Sequence, residues 1–347
     1  MPSKDQITAA LEKHVPRGTV SGVVIDGGKV GFALESQDEG LRLVCEKAVF
    51  AIPGVEKVTA VLTGSRGQIK VDNKNTPVLD RRQSLPGVKK IIAVAAGKGG
   101  VGKSTVAVNL AIAAAAAGMK TALVDADIYG PSLPMMMGFA KGKGLRGKGQ
   151  SSLDPSPLAL RPELVDGKMI PLEAHGVACN SIGFLIDEAS AAIWRGPMAT
   201  KAIHQLLLGT KWDTNNQEID IMFLDLPPGT GDIQLTLAQN YKIDGAVLVT
   251  TPQDVAVADV RKAAQMFARV NIPIFGIVEN MSYFVDGSGN KNHIFGQGGG
   301  EKLASELKTP LLAQIPLDPV LRQNGDSGTP RVGEVFEEII KELTPRI

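Results

Sequence analysis

Cysteine is scarce in this chain: Cys45 and Cys179 are the only two in 347 residues, and they form no C-x-x-C pair. Neither a disulfide framework nor a zinc knuckle is indicated, since both need closely set cysteines. Histidine is equally thin; His14, His175, His204 and His293 stand singly and read as surface or core residues rather than metal ligands. Long apolar runs are missing too. The longest, "AIAAAAAG" at 111–118, is too short and too rich in alanine to span a bilayer. The N-terminal "MPSKDQITAALEKH" mixes charged with apolar residues and has no signal-peptide core, which points to the cytoplasm. An excess of one charge is also absent. Lys+Arg number 37 against 36 Asp+Glu, so no overall field draws the chain to nucleic acid, and membrane and nucleic-acid partners are not expected. No G-x-S-x-G nucleophile elbow is present.

What remains is ordinary globular material, 44% apolar and 21% charged, long enough for about two domains. Ser3 reads as the N-cap of a helix over 3–13, in which Ile7, Ala10 and Leu11 share a face. Strands are expected at Val20–Ile25 and Lys29–Leu34 around a "DGG" turn, then a helix over 39–51 ended by Pro53-Gly54, then a strand at "VEKVTAVLT". This α-β-β-α-β module, residues 1–64, gives way to an aperiodic Gly/Pro/Asn/Lys/Arg linker at 65–87. From residue 88 to 347 buried strands alternate with helices: "KKIIAVAA", "KTALVDAD", "DIMFLDLP", "DGAVLVTTP", "IPIFGIVEN" and "PLLAQIP". That alternation predicts an α/β domain with a mostly parallel sheet covered by helices on both faces. A Gly/Lys/Pro-rich insertion between Gly138 and Gly167 reads as a surface loop.

The stretch "GKGGVGKS" satisfies G-x-x-x-x-G-K-[ST] between a buried strand and a helix, the context that a phosphate-binding loop requires. Gly97, Gly99, Gly100, Val101 and Gly102 turn backbone N–H groups toward phosphate oxygens, and the helix N-terminus adds partial positive charge. Lys103 is placed for the β- and γ-phosphates of ATP, Ser104 for Mg²⁺ and Thr105 for the α-phosphate. Gly97, Gly99 and Gly102 also spell G-x-G-x-x-G with Asp125 downstream, as in dinucleotide folds, but Lys103-Ser104 has no use there. Asp225, at the end of "FLDLPPGTGD", suits a Mg²⁺-bound water. Asp125 and Asp127 of "LVDADIYGPS" stand at the tip of a strand and, two apart, point the same way, so both could face the γ-phosphate; one can support the metal shell and the other orient the attacking water. Lys98, Lys103, Asp127 and Asp225 are the expected catalytic set, and Ser104, Asp125 and Asp225 the metal set.

A lysine directly after the first glycine, as in Gly97-Lys98-Gly99-Gly100, resembles the deviant Walker A loop of ParA/MinD-type ATPases. The resemblance implies that Lys98 crosses a homodimer interface to the partner's phosphates. "DADIYGPSLPMMMG", "SIGFLIDE", "WRGPMATKAIHQLL", "DLPPGTGDIQLTLAQ", "VLVTTPQDVAVADVRKA", "GIVENMSYF" and "IFGQGGGE" together resemble the Mrp/ApbC-type iron–sulfur cluster carrier ATPases. The first 64 residues are similar to the MIP18-like domain often fused before them. By this resemblance the chain is an ATPase that delivers clusters to apo-proteins, with scaffold proteins as further partners. Asn280 and the loop Pro316 to Asp318 become candidate adenine contacts, and Arg195 either meets a partner or phosphate or merely precedes the helix burying Ile203 and Leu207.

The chain departs from that family in one respect. Members usually carry C-x-x-C after "MSYF", so that two protomers offer four thiolates to a [4Fe–4S] cluster. Here the segment reads Asp286-Gly287-Ser288-Gly289, a turn signal without sulfur. Cys45 and Cys179 lie in apolar stretches that suit buried cysteines. The alternative function is therefore a nucleotide switch of the ParA/MinD kind with no cluster of its own. A membrane-positioning role fits poorly: the C-terminal helix has Val335, Phe336, Ile339, Ile340 and Leu343 on one stripe, but Glu334, Glu337, Glu338 and Glu342 outnumber Lys341 on the other. That stripe is expected to pack on the core. Lys141, Lys143, Arg146 and Lys148 form a local basic run.

Overall fold

The computed structural model describes residues 2–16, 19–34, 39–62, 82–139, 162–185, 196–213 and 217–347. Most of the expected linker (65–81), most of the Gly138–Gly167 insertion with its basic run, and Arg195 lie outside these residues. The chain divides into two units, Met1–Val78 and Leu79–Ile347.

In the first unit, helix α1 (Lys4–Leu11) begins where the Ser3 hydroxyl accepts the Gln6 N–H and Gln6 Oε1 accepts the Ser3 N–H, a reciprocal cap. Strands β1 (Val20–Asp26) and β2 (Lys29–Leu34) form an antiparallel hairpin. Helix α2 (Glu39–Phe50) then carries the chain to β3 (Lys57–Leu62), which is parallel to β2. Ile7, Leu11, Phe32, Leu34, Cys45 and Val49 close its core.

The second unit starts with its feet tied. Residues 82–87, read as linker from the sequence, pack here: Leu85 is buried, the Gln83 N–H bonds to Asn240 O, and Gln83 O accepts the Lys242 N–H. The chain then runs β4 (Val88–Ala96), α3 (Lys103–Ala116), β5 (Thr121–Asp125), α4 (Leu133–Met136), β6 (Leu164–Val165), β7 (Lys168–Met169), β8 (Leu172–Ala174) and β9 (Val177–Ser181). After α5 (Gly196–Leu208) come β10 (Ile219–Asp225), α6 (Asp232–Asn240), β11 (Gly245–Thr250), α7 (Asp254–Arg269) and β12 (Ile274–Glu279). The hairpin β13 (Phe284–Val285) and β14 (Lys291–Asn292), then α8 (Gly299–Leu307), β15 (Leu311–Gln314), α9 (Pro319–Ser327) and α10 (Glu334–Leu343) complete it.

Eight of these strands make one sheet in the order β15-β12-β11-β4-β10-β5-β9-β8, parallel throughout except for β8. Along β4, Ile91, Ala93 and Ala95 enter the core on one face, and Ile92, Val94 and Ala96 the core on the other. This is the two-sided burial of a central strand. Helices α5, α6 and α7 cover the first face, α3 and α10 the second. The C-terminal stripe packs as expected, with Phe336, Ile339, Ile340 and Leu343 all buried. So does α5, which starts at Gly196 and buries Ile203 and Leu207.

Two further features differ from the sequence reading. The end of the Gly138–Gly167 stretch is not loop but the first arm of the β6–β7 hairpin. Strands β8 and β9 were not anticipated at all. They turn at His175-Gly176, both with positive φ (53° and 76°), and extend the sheet past β5.

Candidate functional site

The loop between β4 and α3 is held in shape by what surrounds it. A Cβ at Gly97 would stand 2.1 Å from the carbonyl carbon of Asp259 in α7, so only hydrogen fits between strand and helix. Gly102 has φ +83°, and a Cβ there would lie 2.1 Å from Asn280 Nδ2. That same Nδ2 donates to Val101 O at 2.9 Å, so the residue after β12 clamps the loop. Gly99 and Gly100 are exposed. No side chain caps α3, which leaves the N–H groups of its first turn to meet phosphate oxygens.

Charge gathers behind the loop. Lys103 is buried, with Nζ 2.5 Å from Asp225 Oδ1, 3.2 Å from Ser104 Oγ and 3.8 Å from Asp127 Oδ2. Asp225 and Asp125 end adjacent strands in matched register, so two carboxylates sit side by side. Asp125 is fully buried. Its Oδ1 accepts the Asp127 N–H at 3.1 Å, while Oδ2 accepts the N–H groups of Ser132 (3.0 Å) and Leu133 (3.1 Å) and the Ser181 hydroxyl (3.2 Å). Burial, and then the charge of Asp225, push its carboxyl up to about 7. Burial also raises Asp127, against the pull of Lys103. Three carboxylates thus share the neighbourhood of one ammonium. Lys98 is half-buried and has no ion-pair or hydrogen-bond partner among the described residues.

The structure therefore brings Lys103, Ser104, Asp127 and Asp225 together and sets Asp125 behind them as the tie of the loop after β5. Asn280 lies against the phosphate loop. Pro316 and Asp318 belong to a neighbouring turn: the Leu317 N–H bonds to Tyr283 O at 2.7 Å, and Asp318 caps α9 by accepting the Val320 N–H at 2.7 Å. Sequence reasoning missed Glu279. Fully buried at the end of β12, its carboxylate takes the Gly300 N–H at 2.5 Å, the Ser282 hydroxyl at 2.8 Å and Gln314 Nε2 at 3.2 Å, and so fixes the segment that carries Asn280. A buried carboxylate in "IVENMS" was its only local signal.

Where the family resemblance leads one to look for thiolates, β13 and β14 form a hairpin. Asp286 closes it, accepting the N–H groups of Ser288 and Asn290 at 2.9 Å and the side-chain amides of Asn292 and Asn290 at 3.1 and 3.3 Å. These bonds hold its carboxyl below the usual range.

Comparison with known proteins gives the same picture. Residues 87–347 match the ParA family described as the NUBPL iron-transfer P-loop NTPase. The iron–sulfur cluster carrier protein of Escherichia coli (strain K12) is 44% identical over 322 residues, 91% of this chain and 79% of that protein. A solved nucleotide-binding protein in complex with ADP from Archaeoglobus fulgidus is 34% identical, with a TM-score of 0.57 over 70% of this chain and 88% of that one. The cell division ATPase MinD of Pyrococcus furiosus, 20% identical with a TM-score of 0.50 over 74% of this chain and 98% of its own, shares the fold. With its phosphate loop, its sheet order and the match over residues 87–347, the chain belongs to the NUBPL-type iron-transfer P-loop NTPase family.

Proposed function

We propose that this chain is an ATP-hydrolysing iron–sulfur cluster carrier that works as a nucleotide-switched homodimer and serves apo-proteins in the cytoplasm. The observation that carries the ATPase half is the convergence of Lys103, Asp127 and Asp225 at the start of α3. The carrier half rests on likeness to proteins named for that role. No described helix is long and apolar enough to cross a membrane.

In this reading Lys103 and the N–H groups of the first α3 turn hold the phosphates of ATP, with Gly97 to Gly102 wrapped around them and Thr105 beside the α-phosphate. The donor set fits Mg²⁺: the Ser104 hydroxyl is a hard oxygen ligand and the Asp225 carboxylate a hard acceptor for a Mg²⁺-bound water, in a cluster whose carboxylates outnumber its one ammonium. When bound, the ion would supply charge neutralisation to the phosphates. Asp127 orients the attacking water. Asp125 acts through its backbone bonds, holding the loop that presents Asp127 and supporting the metal shell from behind. Adenine contacts fall to Asn280, through Oδ1 and the N–H of Nδ2 that Val101 does not take, and to the Pro316–Asp318 turn. Lys98, with no ion-pair or hydrogen-bond partner among the described residues, reaches the phosphates bound by the second protomer. The first 64 residues act as a MIP18-like module.

The test combines phosphate release, light scattering with and without Mg-ATP, and transfer from a cluster-loaded donor to an apo-ferredoxin. Lys103→Ala is expected to lose turnover and ATP-stimulated transfer, and Lys98→Ala to lose turnover and the ATP-dependent dimer. Normal hydrolysis by Lys98→Ala removes the cross-interface role. Transfer that ignores both ATP and Lys103→Ala removes the carrier reading.

A further inference from the structure

Iron–sulfur clusters are held by cysteine thiolates, four for a [4Fe–4S] cluster. This chain has two cysteines, so a dimer reaches four only by using every one. Neither is placed to serve. Cys179 is the middle residue of β9, paired in register with Leu123 of β5 on one side and Leu172 of β8 on the other, with no exposed surface. Its Sγ donates to Val177 O at 3.5 Å within its own strand. Bringing it to a cluster means unzipping the sheet on both sides of β9. Cys45 has no exposed surface either; it sits on α2 among Ile7, Leu11, Phe32 and Val49 in the core of the other unit. Burial raises both thiols above their ordinary value, which keeps them protonated when a metal ligand must be thiolate.

Other ligands do not fill the gap. Among the described residues no group of three or more His, Cys, Asp or Glu side chains is placed to hold a metal, and the remaining segments contain neither cysteine nor histidine. Carboxylate and amide oxygens are in any case hard donors, poorly matched to iron–sulfur chemistry.

Resting on the carrier reading above, we propose that this chain ligates no cluster with its own side chains and acts on a cluster whose thiolate ligands come from outside the chain. The nucleotide cycle is then the chain's contribution and the sulfur its partner's. That partner presents accessible thiolates of its own. It is a cysteine-bearing protein, and a small thiol such as glutathione is the same chemistry from a second source.

The experiment uses the full-length protein under anaerobic conditions. In the first arm it is incubated anaerobically with sulfide and equal parts of ferrous and ferric iron, the ferric share supplying the oxidising equivalents that a [4Fe–4S] cluster needs, then desalted and assayed for iron, sulfide and visible cluster absorbance. The expected result is loss of all iron and colour on desalting. Iron and sulfide retained in stoichiometric ratio by the wild-type protein overturn the proposal, whether or not Cys45→Ala and Cys179→Ala fold well enough to be compared. In the second arm a cluster-loaded, cysteine-bearing donor protein and an apo-ferredoxin are added with Mg-ATP. Transfer is expected to accelerate by about fivefold or more, and a folded Cys45→Ala/Cys179→Ala double variant is expected to show no loss of that acceleration. A third arm replaces the donor protein with glutathione, and cluster retention there assigns the thiolates to the small molecule. No acceleration from either source overturns both this inference and the carrier reading. A cluster held by the chain's own cysteines that still transfers overturns this inference alone.

Discussion

Lys103 and Asp225 lie 122 residues apart in the chain and meet Nζ to Oδ1 at 2.5 Å in the protein interior. The meeting follows from strand order. β4 leads directly to Lys103, and β10 lies beside β4 with Asp225 level with Val94, so the lysine has only to lean across one strand. Both side chains are almost fully buried, at 7% and 4% exposure. Replacing Lys103 by Met is expected to lower stability by about 3 kcal/mol or more, because Asp225 is left unpaired. Turnover should fall at least a hundredfold through lost phosphate stabilisation. The double variant Lys103→Met/Asp225→Leu should regain the melting temperature and not the phosphate release, which separates the two roles.

Asp125 gives a pH dependence with a definite sign. Its carboxyl ordinarily titrates near 3.8 and is pushed to about 7 in the folded protein. The folded state therefore binds more protons than the unfolded state across that window, and stability falls as pH rises through it. Asp127, also raised, works in the same direction. Melting curves across the interval should show the wild-type midpoint dropping with pH. Asp125→Asn should flatten that slope, by roughly 5 °C or more over the window. An unchanged slope in the variant refutes the assignment.

Gly102→Ala combines a left-handed backbone position with a clash on Asn280. A loss of about 1–3 kcal/mol is expected from the backbone alone. Calorimetric titration should show nucleotide binding lost as well, since the displaced loop no longer presents its N–H groups. Asn280→Ala, which removes the clamp on Val101 without straining Gly102, should weaken binding less.

Ile339 of α10 is fully buried in the core that backs α3. Its truncation to alanine is expected to cost about 2–4 kcal/mol in chemical denaturation. The specific activity of the protein that remains folded should not change, because no hydrogen bond or ion pair among the described residues joins α10 to the charged cluster.

Much of the site was legible because it is local. The phosphate loop, its lysine and its serine sit within eight residues of one another, and strand and helix periodicity around them is strong. Asp225 was legible because it ends an apolar run. The strand β9 was not, because "VACNS" carries polar residues whose burial depends on partners elsewhere in the chain. Asn180 Nδ2 donates to Thr210 Oγ1 at 2.7 Å, and Ser181 donates to Asp125. No local pattern encodes those bonds. The same holds for Asn280, whose grip on Val101 spans 179 residues and which the sequence offered only as an adenine contact. Asp125 was read from its strand position as facing the phosphates, whereas its oxygens are taken up by the backbone of the next loop.

The helix behind the phosphate loop has one more consequence. Ten residues of α3, from Lys103 to Ala114, are buried, most of them alanine or valine packed against the sheet. With Gly97 wedged against α7 and Gly102 under Asn280, this end of the molecule is a stator, with no slack to absorb a change in its cargo of phosphate. The segment after Asp225 is built otherwise. It is exposed from Pro228 onward, apart from a half-buried Gly229, and leads straight into α6, whose far end is stitched to Gln83. That exposed arm, unlike the wedged loop, has room for displacement, and α6 ties its far end to Gln83 near the start of the second unit.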